Sequence, residues 1–95
     1  MTKTFKTELA GIGIKAVDLH LAETARRIAL DSLRQAYATY CTKKGWGFIE
    51  RTSPEWAEMQ AANTKQYQAL KDAKAKEYNA RRRLRTACKP FVGAA

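Results

Sequence analysis

Apolar side chains recur at helical spacing over most of this chain, most clearly in residues 16–42, a run without Gly or Pro and rich in good helix formers. Stepped at about 100° per residue, its apolar positions run from Val17, Ile28 and Leu21 through Ala25, Ala36, Ala29, Ala22, Tyr40 and Leu33 to Leu19, Tyr37 and Leu30, an arc of about 200°. A helix packed on one neighbour needs little more than about 100°. The pattern therefore predicts two neighbours. One is the next helix; the other is the N-terminal segment, a second copy of the chain or a different protein.

Ahead of that run, Phe5, Leu9 and Ile12 keep helical spacing while Gly11-Ile12-Gly13-Ile14 interrupts it, which predicts a short helical turn over 4–10 and then a glycine hinge. After it, Thr42-Lys43-Lys44-Gly45 reads as a helix end, with cations in the last turn and a glycine for the left-handed position that follows. The connector 45–53 is unusually aromatic. Trp46, Phe48 and Ile49 either cap the end of a hairpin or form an exposed apolar plug for a partner.

Ser53-Pro54-Glu55 is a helix start: serine accepts an orphan amide proton, proline fits the first turn, and Glu55 and Glu58 suit the positive end of the dipole. No Gly or Pro follows until Pro90, so the second helix is predicted over 54–89, roughly 50 Å long. The expected fold is all-α: an antiparallel hairpin of two long helices, 16–42 and 54–89, with a short N-terminal segment packed on it and the C-terminal end overhanging as an arm. Ninety-five residues make one domain with one modest core, much of it alanine.

Charge sharpens this picture. The chain carries net +9, and Lys71–Lys89 holds eight of its eighteen Lys and Arg residues against only Asp72 and Glu77. On the helix wheel Lys71, Lys74, Arg81, Arg82, Arg85 and Lys89 share one arc of about 100°, with Tyr67 and Tyr78 among them. An alanine-rich stripe with Leu70 and Leu84 occupies the packing side. Glu77 falls on that packing side too, where it is expected to pair with His20 or a cation of the first helix, or to mark the start of the free arm. Lysine- and arginine-rich faces are commonly just solvated, but the lack of balancing acids and the RRRLR cluster favour a polyanion here.

The usual catalytic and ligand-binding patterns are missing. Gly11-x-Gly13-x-x-Ala16 superficially matches a dinucleotide fingerprint but lacks the strand before it and the βαβ unit around it. His20 is the only histidine, so no metal site is expected. Cys41 and Cys88 end opposite helices and are expected as free thiols, too far apart to bond. There is no Ser/His/Asp set, paired carboxylates or P-loop, so no enzyme and no cofactor is expected. Neither a secretory leader nor a membrane span is read from the sequence, and a cytoplasmic location is the expectation.

Two functions follow. The first is a non-catalytic accessory protein binding DNA or RNA through Lys71, Lys74, Arg81, Arg82, Arg85 and Lys89, helped by Tyr67 and Tyr78. The second is a protein-binding inhibitor or adaptor. It would use Trp46, Phe48, Ile49, Leu19, Leu30 and Tyr37 as interface, and dock on an acidic or nucleic-acid-binding surface of a host complex such as a nuclease or CRISPR effector. A homodimer through the first helix belongs with this reading. Anionic membrane is a weaker partner, because the second helix offers mostly alanine for insertion. In general character the chain resembles the small, basic, helical accessory proteins of phages and mobile elements, and no motif narrows that likeness.

Overall fold

A computed structural model describes residues 3–92 and gives an all-α antiparallel hairpin measuring 65 × 23 × 17 Å. Helix α1 is Lys3–Lys44, α2 is Pro54–Ala62 and α3 is Thr64–Cys88, followed by a 3-10 turn over Lys89–Phe91. No strand occurs among the described residues.

The long first helix starts earlier than 16 and contains no hinge. Gly11 and Gly13 lie inside it, and a Cβ added at either would meet nothing within 4 Å. Each glycine costs the helix about 1 kcal/mol relative to alanine, too little to break a helix anchored on both sides. The anchor at the N-terminal end is Phe5, whose ring meets Phe91 edge-on with centroids 5.3 Å apart. The N-terminal segment thus packs on the hairpin as the first turns of α1. This contact also removes the expected overhang. Phe5 faces Phe91, Arg26 faces Glu77 and Cys41 faces Met59, so each step along α1 is matched by a step back along α2 and α3. The basic C-terminal stretch lies alongside α1 and does not project beyond it.

The predicted second helix is divided at Asn63. This residue sits at φ −119°, ψ 31°, and its side-chain amide donates to the Met59 carbonyl at 2.9 Å. Asparagine competes for the backbone in this way, which is why it favours helix ends. Its own carbonyl accepts from Tyr67 N at 3.1 Å, so α3 resumes at once and the break is a local kink.

Both turn ends behave as their residues dictate. Gly45 adopts φ +71°, Gly45 N donates to Thr42 O at 3.2 Å and Trp46 N to Cys41 O at 2.9 Å, the paired bonds of a Schellman motif. Trp46 then folds back edge-on against Tyr40, with centroids 5.7 Å apart. Ser53 Oγ accepts from Trp56 N at 3.2 Å and donates to Glu50 O at 2.6 Å, which caps α2 and ties down the loop before it.

The core is a narrow seam. Leu33 of α1 and Met59, Leu70, Ala73 and Ala80 of the returning helices are buried. Small residues at Ala73 and Ala80 let α1 approach α3 closely, at the expense of apolar area. Glu77 is buried in the same seam. Arg26 Nε donates to one of its oxygens, and Arg81 donates to the other at 2.9 Å. The partner is therefore a cation of the first helix, as anticipated, while His20 stands exposed.

Candidate nucleic-acid interface

All six cations expected to contact phosphate are exposed: Lys71, Lys74, Arg81, Arg82 and Arg85 on α3 and Lys89 at the start of the 3-10 turn. From Lys71 to Lys89 they extend over about 27 Å of helix axis, the length of several phosphate spacings. They are not equivalent. Arg81 is committed to Glu77, whereas Lys71 Nζ rests over the Tyr67 ring, 5.8 Å from its centroid. Burial alone would raise the Glu77 carboxyl, but the hydrogen bonds from Arg81 and Arg26 outweigh it and hold the group below its ordinary 4.5. Glu77 stays ionised and takes up part of the Arg81 charge, so about five cations remain for a polyanion. Tyr78 is well exposed on the same helix.

Tyr67 and Lys74 also belong to a cleft between the helices, of about 450 Å³. The α1 side contributes Leu30, Leu33, Arg34 and Tyr37; α2 adds Trp56 and Gln60, and the connector adds Arg51. Tyr37 and Trp56 meet edge-on at 5.5 Å, and the Arg51 guanidinium lies 5.6 Å from the centre of the Trp56 ring. The Tyr37 hydroxyl is kept protonated above its ordinary 10.0, chiefly by burial and further by Tyr67, against the opposing effect of a hydrogen bond with Gln60. Tyr37 and Trp56 stand half-buried while Tyr67, Arg34, Arg51 and Lys74 are exposed at the rim. Chemically, the rings offer stacking faces and the rim cations offer positive charge. A second hollow, of about 400 Å³, brings Lys15 of α1 to Arg82 and Arg83 on α3.

The residues expected to meet a protein are divided among several environments. Trp46 and Ile49 are half-buried, with Trp46 closing the hairpin end, whereas Phe48 is 92% exposed. Leu19, Leu30 and Tyr37 are half-buried, and Leu30 and Tyr37 line the cleft against α2 and α3. Besides Leu9, the large apolar residues of α1 that stand in solvent are instead Ile14, Val17, Leu21 and Ile28, on the opposite side of the helix. The 200° arc had two edges, and α3 covers the one that carries Leu19, Leu30 and Tyr37.

Comparison with family models, curated proteins and solved structures finds no match. Among the described residues no group of three or more His, Cys, Asp or Glu side chains is placed to hold a metal ion, and no helix is long and apolar enough to cross a membrane. Cys41 and Cys88 are free thiols.

Proposed function

We propose that this chain is a non-catalytic protein that binds nucleic acid, or a nucleic-acid-processing complex, through the basic face of α3. The observation that carries this reading is the charge asymmetry of Lys71–Lys89: eight cations, two acids, and one of those acids buried against α1. Phosphates attract such a face without regard to sequence, and arginine engages them through parallel donors. The test is a titration of labelled duplex DNA against salt. With about five phosphates neutralised, log K should fall against log salt with a slope near −4.5. No shift of DNA or RNA at low salt would sink the reading.

A second reading, protein docking, is favoured by the outward stripe Ile14, Val17, Leu21 and Ile28, about 21 Å long. Ile14 and Ile28 lie seven residues either side of Leu21. A second copy laid antiparallel on this stripe would set Ile14 against Ile28 and Leu21 against itself, the self-complementarity that a two-fold interface requires. Lys71–Lys89 holds most of the chain's excess charge, so the larger part of it lies away from such pairing. We assign the stripe to a second copy. Capture of a host protein there, with Phe48 assisting, is the outcome that would move the assignment to an inhibitor or adaptor.

A further inference from the structure

We infer that the cleft between α1, α2 and α3 receives an unstacked base, so that the nucleic acid bound is single-stranded. The inference rests on the nucleic-acid reading above and narrows it to one substrate class. Three aromatic side chains from three helices, Tyr37, Trp56 and Tyr67, converge on one cleft of about 450 Å³, a volume in the range of small-ligand sites. A base in a duplex enters only at the cost of unpairing and unstacking; a base in a single strand can be splayed out and stacked on aromatic rings.

The rim supplies the other half of the ligand. Arg34, Arg51 and Lys74 come from α1, the connector and α3, and the cleft lining contains no acid. A base against Trp56 would share that ring with the Arg51 guanidinium, itself a planar group on which bases stack. Gln60, beside Tyr37, offers an amide to a base edge. Lys74 connects the cleft to Lys71 and to the cations further along α3, so the backbone on one side of the inserted base would continue onto the basic face. Trp56 is positioned for this by its place in the first turn of α2, where Ser53 accepts from its amide, and by its edge contact with Tyr37. Rigid placement of the ring favours stacking, because little side-chain freedom is lost on binding.

The experiment uses the full chain with Trp46→Phe, leaving Trp56 as its only tryptophan, titrated with labelled oligo(dT), oligo(U) and a duplex of equal length at fixed low salt. Expected are tighter binding of the single strands by about tenfold and quenching of Trp56 fluorescence on saturation. Trp56→Ala and, independently, the more exposed Tyr67→Ala should each cost about tenfold on single strands, and Trp56→Ala, which lies off the basic face, should leave duplex binding within about twofold. Circular dichroism checks that each variant is folded, and Tyr67→Ala carries the test if Trp56→Ala is not. Oligo(dT) and oligo(U) bound alike place recognition on base and phosphate; a preference for oligo(U) that oligo(dU) does not share adds the 2′-hydroxyl. Equal affinity for duplex and single strand with no quenching would overturn the cleft while leaving the basic face intact. Failure to bind any of the three would remove the nucleic-acid reading itself.

Discussion

Arg26 of α1 reaches a carboxylate, Glu77 of α3, whose side chain is only 8% exposed. Glu77 occupies a position with the spacing of Leu70, Ala73 and Ala80, where an apolar residue would be expected. A polar group in an apolar seam is tolerated only when its hydrogen bonds are made, and here two guanidinium groups make them. Because Arg26 stands near the middle of α1, the pair also fixes which turn of α1 faces which turn of α3.

This pair predicts an acid-labile fold. The folded-state pKa of Glu77 lies below its ordinary 4.5, so its contribution is complete above 4.5 and is lost as pH falls through the lowered folded value. The thermal midpoint, followed by circular dichroism, should drop on acidification below 4.5 more steeply in the wild type than in Glu77→Gln. Arg26→Ala should lower the midpoint at neutral pH. The double change Arg26→Met with Glu77→Leu should recover most of that loss, since apolar replacements of buried ion pairs are commonly neutral or stabilising. An acid profile unchanged by Glu77→Gln would show that other groups carry the pH dependence.

The glycines of α1 offer a contrast. Gly11 and Gly13 are helical with open space where a Cβ would go, so Gly13→Ala should stabilise by about 0.5–1 kcal/mol, raising the midpoint by several degrees in a domain of this size. Gly45 sits at φ +71°, and Gly45→Ala should cost about 1–2 kcal/mol for a left-handed non-glycine residue. If Gly13→Ala lowered the midpoint, a bend at that position would be required by the fold, and the expected hinge would return.

Salt dependence distinguishes the cations of α3. Arg85→Gln should reduce the magnitude of the salt slope by about 0.9 on duplex DNA, the share of one phosphate contact. Arg81→Gln should reduce it by less, because Arg81 is tied to Glu77 at 2.9 Å. On single strands the wild-type slope should be shallower, near −3.5 for about five contacts. Equal effects of the two substitutions would mean that Arg81 leaves Glu77 on binding.

The hairpin was legible because its signals are local. Ser53-Pro54, the Lys43-Lys44-Gly45 end and the apolar period of 16–42 each act within a turn or two of chain. The cation facing Glu77 was foreseeable in kind, since a buried carboxylate needs one, but naming Arg26 required the register of α1 on α3. The cleft was hidden for the same reason. Arg34 and Tyr37, Arg51 and Trp56, and Tyr67 and Lys74 are three separate stretches that only the packed hairpin brings together. The glycine hinge failed because two glycines cost less than the packing of Phe5 on Phe91 and the continuous helix return. The overhanging arm failed with it, as the extra turns of α1 cover the length left over. The breadth of the apolar arc on α1 was legible in the sequence, yet no local signal says which edge α3 takes.

The uncovered edge of that arc gives the last prediction. Ile14 and Ile28 remain 64% and 62% exposed in the single chain, and a seam from Ala10 to Ser32 would be about 33 Å long. Two copies joined along it would bury on the order of 1,000 Å², the lower limit for a specific interface. Sedimentation equilibrium should therefore show a reversible dimer at micromolar to tens-of-micromolar concentration. Leu21→Glu, placed where the two-fold axis sets the residue against itself, should convert it to monomer with unchanged helical content, because the side chain touches little within its own chain. Phe48→Ala should leave the dimer intact, as the connector lies at the far end of the hairpin from the centre of the seam. The salt slope per chain should survive Leu21→Glu, since the basic face of α3 points elsewhere. A wild-type chain that remains monomeric at 100 µM or so would remove the second copy and leave the stripe for a different protein.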